Sequence, residues 1–399
     1  MLLYAPKITP RISYTFCVIF EGILSTPVTF TTNIDEFSAS TEPKMAYSPQ
    51  KIETSVWMEA TALLFEENIV KQNIIPEKLH NYTLFFPTKN GNFSIDLAAV
   101  IFFLISRYEE YYDDNKLDKH GRFQYFSSVA YQLGWHRKLM VHRLALALAQ
   151  IIKTEYPQFV YSHPKFEELS THDVDIAYQY KGKSWWNWGG AVAKALLQLR
   201  FEHANNYIKA ALGKIIIDPY DNFVFEQNKS IYFIPTSPYG KYDKNISYKS
   251  KEFRELIVRL KEFSEIGIHP SYHSSTKTSL IVKEKKRLEK ILQQEVTKSR
   301  QHFLRFRFPD TFQALIKSGI TDDYSLGWHD DAGFRASIAV PYPFFDLTKN
   351  EETELWLHPL ALMDTVFNKD EREKVLSELK KEVKEVGGTL IVLTHNSNI

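Results

Sequence analysis

Cysteine is almost missing from this chain: Cys17 stands alone among 399 residues. One thiol closes no intrachain disulfide and builds no cysteine-ligated zinc cluster. It is compatible with a reducing compartment. An excess of charge of either sign is missing too. The 49 Lys and Arg against 48 Asp and Glu leave a formal net charge of +1, which gives no strong field for nucleic acid or acidic membranes. Long apolar runs are absent; the longest, "LAAVIFFLI" (Leu97 to Ile105), has 9 residues, whereas a membrane-spanning helix needs about 20. No glycine-rich phosphate loop of the G-x-G-x-x-G or G-x-x-x-x-G-K-[ST] kind occurs. The N-terminus has no basic segment before its apolar stretch. Pro6 and Pro10 interrupt that stretch, and Arg11 and Glu21 flank or break it, so a secretory signal is not expected and the expected location is cytoplasmic.

What is present is an ordinary globular composition, 44% hydrophobic and 24% charged. The length suggests two domains. Residues 1–160 read as a smaller α/β domain with no catalytic signature. "MLLYA" and "PVTFTT" look like strands and "RISYTFCVIFEGIL" like a helix. "IDLAAVIFFLISRYEEYY" reads as a buried helix with a solvated end, and "RKLMVHRLALALAQIIKTEY" as a second long helix halted before Pro157.

From about residue 165 to 399 the rhythm becomes strand–helix. "FEELSTHDVD" and "SIYFIPTS" read as strands. In "EFRELIVRLKEF", Phe253, Leu256, Ile257, Leu260 and Phe263 form one apolar stripe, and Gly267 ends that helix before a short strand. "SLIVKEKKRLEKILQQEV" is a second amphipathic helix and "HFLRFRF" a strand. "DTFQALIKSG" is a helix with Asp310 as N-cap, and "DEREKVLSELKKEVKEVGG" repeats the design before the strand "TLIVLTHN". Alternation of this kind implies parallel β/α architecture, with the strand count favouring a barrel. A Trp-rich insertion at about 181–225, "KGKSWWNWGGAVAKALLQLRF" and beyond, interrupts the series. It reads either as a helix packed on the barrel or as a surface helix resting on a membrane or a sugar chain, since Trp favours interfaces.

In a β/α barrel the C-terminal ends of the strands carry the active site. Polar residues that follow apolar strands here are Asp173 and Asp175 in "THDVD", His269 and His273 in "HPSYH", Arg307 in "RFP", Asp322 and Asp323 in "TDDY", and His395 in "LTH". Five strand ends thus present groups able to hold a metal, move protons or pair with a carboxylate.

The order of these motifs resembles the polysaccharide deacetylases with the NodB homology domain (carbohydrate esterase family 4). The whole layout looks like a divergent bacterial group that carries an extra N-terminal α/β domain. The resemblance covers about 165–399. It implies a deformed (β/α) barrel, a divalent metal that is usually zinc, and a carbohydrate or N-acylated glycoconjugate substrate. Carried over by position, Asp175, His269 and His273 would hold the metal, Asp173 would be the general base and His395 the general acid. Arg307 would pair with Asp173, and Asp322 or Asp323 would orient that assembly. "GFRAS" (Gly333 to Ser337) looks like a substrate-facing loop. The implied reaction is metal-dependent removal of an N-acyl group, an acetyl by expectation, from a saccharide.

The sequence departs from the pattern in two places. Pro270 stands where the family has Ser or Thr, and the first motif spaces its carboxylates as D-x-D. His302, in "RQHFLRF", is the substitute metal ligand if His273 points elsewhere, and His172 reads as a supporting or structural residue. Two rival readings remain at this stage. One is a glycan-binding protein whose metal centre has decayed. The other is a D-x-D glycosyltransferase, which leaves the three histidines of the motifs unexplained and lacks a phosphate loop.

Overall fold

The structure is a computed structural model of the 399-residue chain and describes every residue except 184, 215–217, 221–229 and 397–399. The chain begins with a parallel four-stranded sheet. It comprises β1 (Leu2–Tyr4), β2 (Thr29–Thr31), β3 (Lys44–Ser48) and β4 (Trp57–Glu59), in the order β2-β1-β3-β4. A hairpin, β5 (Glu77–Leu79) and β6 (Tyr82–Leu84), follows. Around them lie α1 (Pro10–Cys17), α2 (Ile34–Ala39), α3 (Leu97–Ile105), α4 (Val129–Gln132) and α5 (Met140–Glu155). Helix α3 is apolar on every face, and all nine of its residues are buried, as a helix without a polar side must be. Its N-cap Asp96 accepts from the Ala99 amide at 2.9 Å and also receives the Tyr47 hydroxyl at 2.9 Å, so this buried carboxylate is fully engaged.

The rest of the chain builds a curled nine-stranded sheet. Its strands are β7 (Phe166–Asp173), β8 (Ser230–Ile234), β9 (Glu265–Ile268), β10 (Lys298–Ser299), β11 (Asp322–Asp323), β12 (Tyr342–Asp346), β13 (Glu351–Leu357), β14 (Leu360–Met363) and β15 (Gly388–His395). The order is β12-β13-β11-β10-β9-β8-β7-β15-β14, and only the β12–β13 pair is antiparallel. Among the described residues the sheet does not close, so it is an open half-barrel. Helices α6 (Trp185–Leu197), α7 (Phe201–Ala211), α8 (Lys251–Lys261), α9 (Ser279–Leu292), α10 (Asp310–Lys317) and α11 (Lys369–Val386) lie between the strands. The insertion therefore contains two helices, α6 and α7. The side chains of Trp185 and Trp186 and much of 215–225 lie outside the described residues.

Local readings hold in part. Helix α8 buries Phe253, Leu256, Ile257 and Leu260 as expected, but Phe263 lies past its end and is exposed. Asp310 begins α10 without capping it. Gly267 lies within β9 instead of ending a helix. A Cβ there would come within 2.6 Å of the Phe233 ring, so the neighbouring strand's packing requires glycine. The stretch "HFLRFRF" is not a strand. The strand is the preceding Lys298–Ser299 pair, and His302–Leu304 forms a single tight turn.

One apolar cluster runs through both halves, from Leu3 to Leu357. Phe102 of α3 meets Phe345 of β12 edge-on at 5.2 Å, and the Tyr14 hydroxyl donates to the Pro343 carbonyl at 2.8 Å. The halves also share a buried ion network. Glu110 receives the Arg335 guanidinium at 2.9 and 2.5 Å and the Arg107 guanidinium at 2.8 Å, while Arg107 also reaches Glu109 at 2.8 Å. "SRYEEYY" is thus not a solvated helix end, and the Arg335 side chain is engaged in this network. Removing one member of a buried charge network costs about 3–5 kcal/mol, because its partners stay buried. Glu110→Ala is expected to lower stability by about that amount in urea unfolding; a loss below about 1 kcal/mol would show that the network does not join the halves.

Candidate metal and acid–base centre

The parallel strands β7, β9, β10 and β15 end at one edge of the sheet, and each end delivers a polar side chain there. Strand β7 closes on Asp173 and is followed, two residues on, by Asp175. Strand β9 is followed by His269, β10 by Arg300 and His302, and β15 ends on His395. Asp173 pairs in register with His395 across the β7–β15 ladder.

Asp175, His269 and His302 converge, with one donor atom from each lying within 4.8 Å of the others. Asp175 Oδ1 is 3.2 Å from His269 Nε2 and 3.4 Å from His302 Nε2. Both imidazoles have their outer nitrogens committed. His269 Nδ1 lies 2.7 Å from the Arg300 carbonyl, which can only accept, so Nδ1 carries the proton. His302 Nδ1 lies 3.0 Å from the Asp243 carboxylate, which accepts in the same way. The neutral form of each ring therefore turns a bare Nε2 lone pair inward. Asp175 Oδ1 and His269 Nε2 are buried and make no hydrogen bond. Two imidazoles and a carboxylate aimed at one point, with their far sides held by a carbonyl and a carboxylate, fit a divalent metal and leave room for further ligands.

The charges of the cluster show the same strain. Burial opposes ionisation of Asp175, but the His302 and His269 imidazoles outweigh it and hold its pKa well below the usual carboxylate range. Burial works against a charged His302, yet Asp175 and Asp243 raise its pKa to about 10. Without a metal, a proton on His302 balances the carboxylates.

Two further groups flank the cluster. Asp173 is buried, with Oδ1 3.3 Å from Arg300 Nη1 and Oδ2 3.7 Å from His269 Nε2. His395 Nε2 lies 3.8 Å from Asp175 Oδ2, while its Nδ1 is 2.7 Å from Asp364. Burial disfavours the imidazolium, but the Asp364 hydrogen bond and the charges of Asp173 and Asp175 raise the His395 pKa to about 9.

Three residues named from the sequence lie elsewhere. His273 is exposed on the turn Tyr272–Ser275. A His pair at i and i+4 shares a face only on a helix, and Ser271, with φ −58° and ψ 160°, is extended instead, while Pro270 offers no amide hydrogen. Arg307 is exposed and its amide donates to the Thr311 hydroxyl; Arg300 holds Asp173 instead. Asp322 faces away, 2.7 Å from His358 Nε2, because successive strand residues point to opposite faces. Its neighbour Asp323 is the buried member, pushed up by burial to about 7, and binds the Ser325 amide and hydroxyl at 2.9 Å. His172 lies on the other side of β7 from Asp173, stacked on Tyr232 at 4.6 Å with Nδ1 2.6 Å from the Thr394 hydroxyl.

Sequence reading missed Arg300, Asp364 and Asp243. Arg300 is the first residue past β10 and was displaced by placing the strand too late. Asp364 is the first residue past the apolar run "LALM", a legible position. Asp243 sits in the loop "YGKYDKN", where no pattern singles it out.

Comparison with known proteins adds the following. A family model described as "Family of unknown function (DUF7033)" matches residues 1–157. No curated protein matches the chain. Among solved structures, a candidate polysaccharide deacetylase from Mycobacterium smegmatis overlaps at 13% identity and a TM-score of 0.36, covering 58% of this chain and 77% of that one. A polysaccharide deacetylase from Bacillus cereus overlaps at 12% identity and a TM-score of 0.25, covering 59% and 81%.

Metal titration checks the cluster. The purified protein is expected to hold one zinc ion per chain after dialysis, measured by mass spectrometry of the metal. Asp175→Ala and His302→Ala are expected to lose it, His273→Ala to keep it, and Asp243→Asn to weaken it about 10- to 100-fold. Loss in His273→Ala with retention in His302→Ala would overturn the assignment.

Proposed function

We propose that the protein is a metal-dependent hydrolase that removes an N-acyl group, by expectation acetyl, from an amino sugar or glycoconjugate, in the manner of polysaccharide deacetylases. The observation that carries this reading is the convergence of Asp175, His269 and His302 between two separately braced groups, Asp173 on Arg300 and His395 on Asp364.

Asp175, His269 and His302 would hold a divalent ion, most simply zinc, which when bound acidifies water and polarises the acyl carbonyl. Asp173 serves as the base. Arg300 anchors its Oδ1, which leaves Oδ2 facing the cluster to take a proton from the attacking water. His395, protonated near neutral pH because its pKa lies near 9, points its Nε2 toward Asp175 of the cluster. Its Nε2 proton passes to the nitrogen as the C–N bond breaks, so amide and water become a free amine and a carboxylate. Asp364 keeps the imidazole oriented and charged until that moment. Beside the cluster, Tyr242 stacks on Tyr272 at 4.0 Å and His302 meets Phe303 edge-on at 4.7 Å. Tyr272 is covered by Tyr242 and Arg305, and the partly exposed rings of Tyr242 and Phe303 suit the C–H surface of a sugar.

The intact ligand set speaks for an enzyme over a glycan-binding relict. A glycosyltransferase D-x-D motif would not call for His269 and His302 with braced outer nitrogens. Expected activity is acetate release from N-acetylated amino-sugar oligomers, stopped by a chelator and restored by zinc. Asp173→Asn and His395→Gln are each expected to lower kcat about 10²- to 10⁴-fold while the bound metal is retained. Absence of acetate release from every N-acetylated saccharide by metal-loaded protein would sink the proposal.

A further inference from the structure

The residues around the insertion are not used by this chemistry. A cavity of about 860 Å³ opens between α6–α7 and the loop 238–249. Six cationic side chains line it: Lys183, Lys194, Arg200, Lys244, Lys249 and Arg287. No carboxylate stands among its described lining residues, and none of the six makes an ion pair among the described residues. Burial lowers the pKa of Lys183, with the Asp218 charge opposing that shift. Asp218 itself is turned to backbone, accepting from the Gln179 and Tyr180 amides at 2.9 and 2.8 Å. Six like charges around one void repel one another unless an anion enters.

Two of the cavity's lining residues adjoin the metal cluster in the chain. Ile176, which lines it, directly follows Asp175, and Lys244 directly follows Asp243, the carboxylate behind His302. The cavity is thus lined by the immediate chain neighbours of Asp175 and Asp243.

The helices above the cavity carry a second, independent signal. Leu197, Leu199, Phe201 and Leu212 are 86%, 74%, 64% and 67% exposed at the α6–α7 hairpin. Trp188, Val192 and Leu196 of α6 also face Ile208, Ala211 and Leu212 of α7 across an apolar groove. Residues 181–214 hold six Lys or Arg against one carboxylate, Glu202, a net +5 in a chain whose total is +1. An apolar tip on a cationic segment matches the interface of an anionic bilayer, with apolar side chains among the acyl chains and cations at the phosphates. Among the described residues no helix is long and apolar enough to cross a membrane, so this contact would be peripheral.

We propose that the α6–α7 hairpin docks on an anionic lipid surface and that the cavity at its root takes the phosphate or pyrophosphate of a membrane-borne, lipid-linked saccharide. Resting on the deacylase reading above, the proposal places the acylated sugar of that lipid at the Asp175 cluster. The phosphate itself could come from a lipid or from a soluble sugar phosphate; the exposed apolar tip selects the lipid.

Full-length protein would be tested with inorganic pyrophosphate by calorimetry and by flotation on phosphatidylglycerol or phosphatidylcholine vesicles. Wild type is expected to bind pyrophosphate and to float with the anionic vesicles only. Lys194→Gln, Lys244→Gln and Lys249→Gln together are expected to weaken pyrophosphate binding about 100-fold. Leu197→Ser, Phe201→Ser and Leu212→Ser together are expected to abolish flotation and leave pyrophosphate binding unchanged. Asp175→Asn is expected to keep both, so failure of the hydrolase reading is told apart from failure of this one. Unchanged pyrophosphate affinity in the lysine variant would overturn the cavity assignment. Pyrophosphate binding without flotation would assign a soluble phosphate ligand and overturn the lipid. A doubled mass in light scattering that the apolar variant abolishes, without flotation, would give the hairpin to a second copy of the chain and overturn it as well.

Discussion

A carboxylate buried between two imidazoles costs free energy unless a positive charge lies among them, and the C-terminal half of this protein is arranged around that cost. Asp175 is held by His269 and His302, and both rings are fixed from behind, one by a backbone carbonyl and one by Asp243. Fixing the outer nitrogen decides the tautomer, and the tautomer aims the inner lone pair. In the absence of a metal the balance falls to a proton on His302. The same contacts leave Asp175 Oδ1 and His269 Nε2 without hydrogen bonds, an arrangement that suits a cation.

The proposed acid and base groups follow the same logic of separate bracing. Asp173 and His395 are partners in one strand ladder, yet each is tied to its own counter-charge, Arg300 for the first and Asp364 for the second. Opposite roles for neighbouring groups require different electrostatic surroundings. The backbone helps. Phe303 and Leu304 adopt left-handed φ values of 64° and 48° directly after His302, a conformation that costs about 1–3 kcal/mol per residue and persists only where neighbours hold it. One such neighbour is Arg122 of the N-terminal half, which donates to the Phe303 carbonyl at 2.9 Å. Arg305 in turn donates to the His120 carbonyl at 2.6 Å. The first 160 residues thus brace the turn that carries His302, in addition to sharing the apolar core.

Much of the centre was legible because strand ends announce themselves. An apolar run that stops on a charged residue marked Asp173, Asp175, His269 and His395, and all four sit at the sheet's C-terminal edge. The misplaced residues share one cause: a motif was read by spacing where local geometry differed. "HPSYH" has helical spacing without a helix, because Pro270 and the extended Ser271 break the turn. "RFP" matched by its proline, while the arginine that matters ends a strand only two residues long. Asp322 and Asp323 were told apart only by the side of the strand each faces, a matter of pairing register.

The sequence by itself determined the alternation of strands and helices, the location of the ionisable groups at strand ends, and the concentration of Trp, Leu and Lys in the insertion, because these depend on local periodicity and composition. Only the tertiary structure decided that His302 and not His273 meets Asp175, that Arg300 holds Asp173, that Asp243 stands behind His302 and Asp364 behind His395, and that the insertion's cations surround one cavity. Those outcomes depend on contacts between residues far apart in the chain, such as Arg300 with Asp173, 127 positions away, and local periodicity carries no information about which distant side chains folding will bring together.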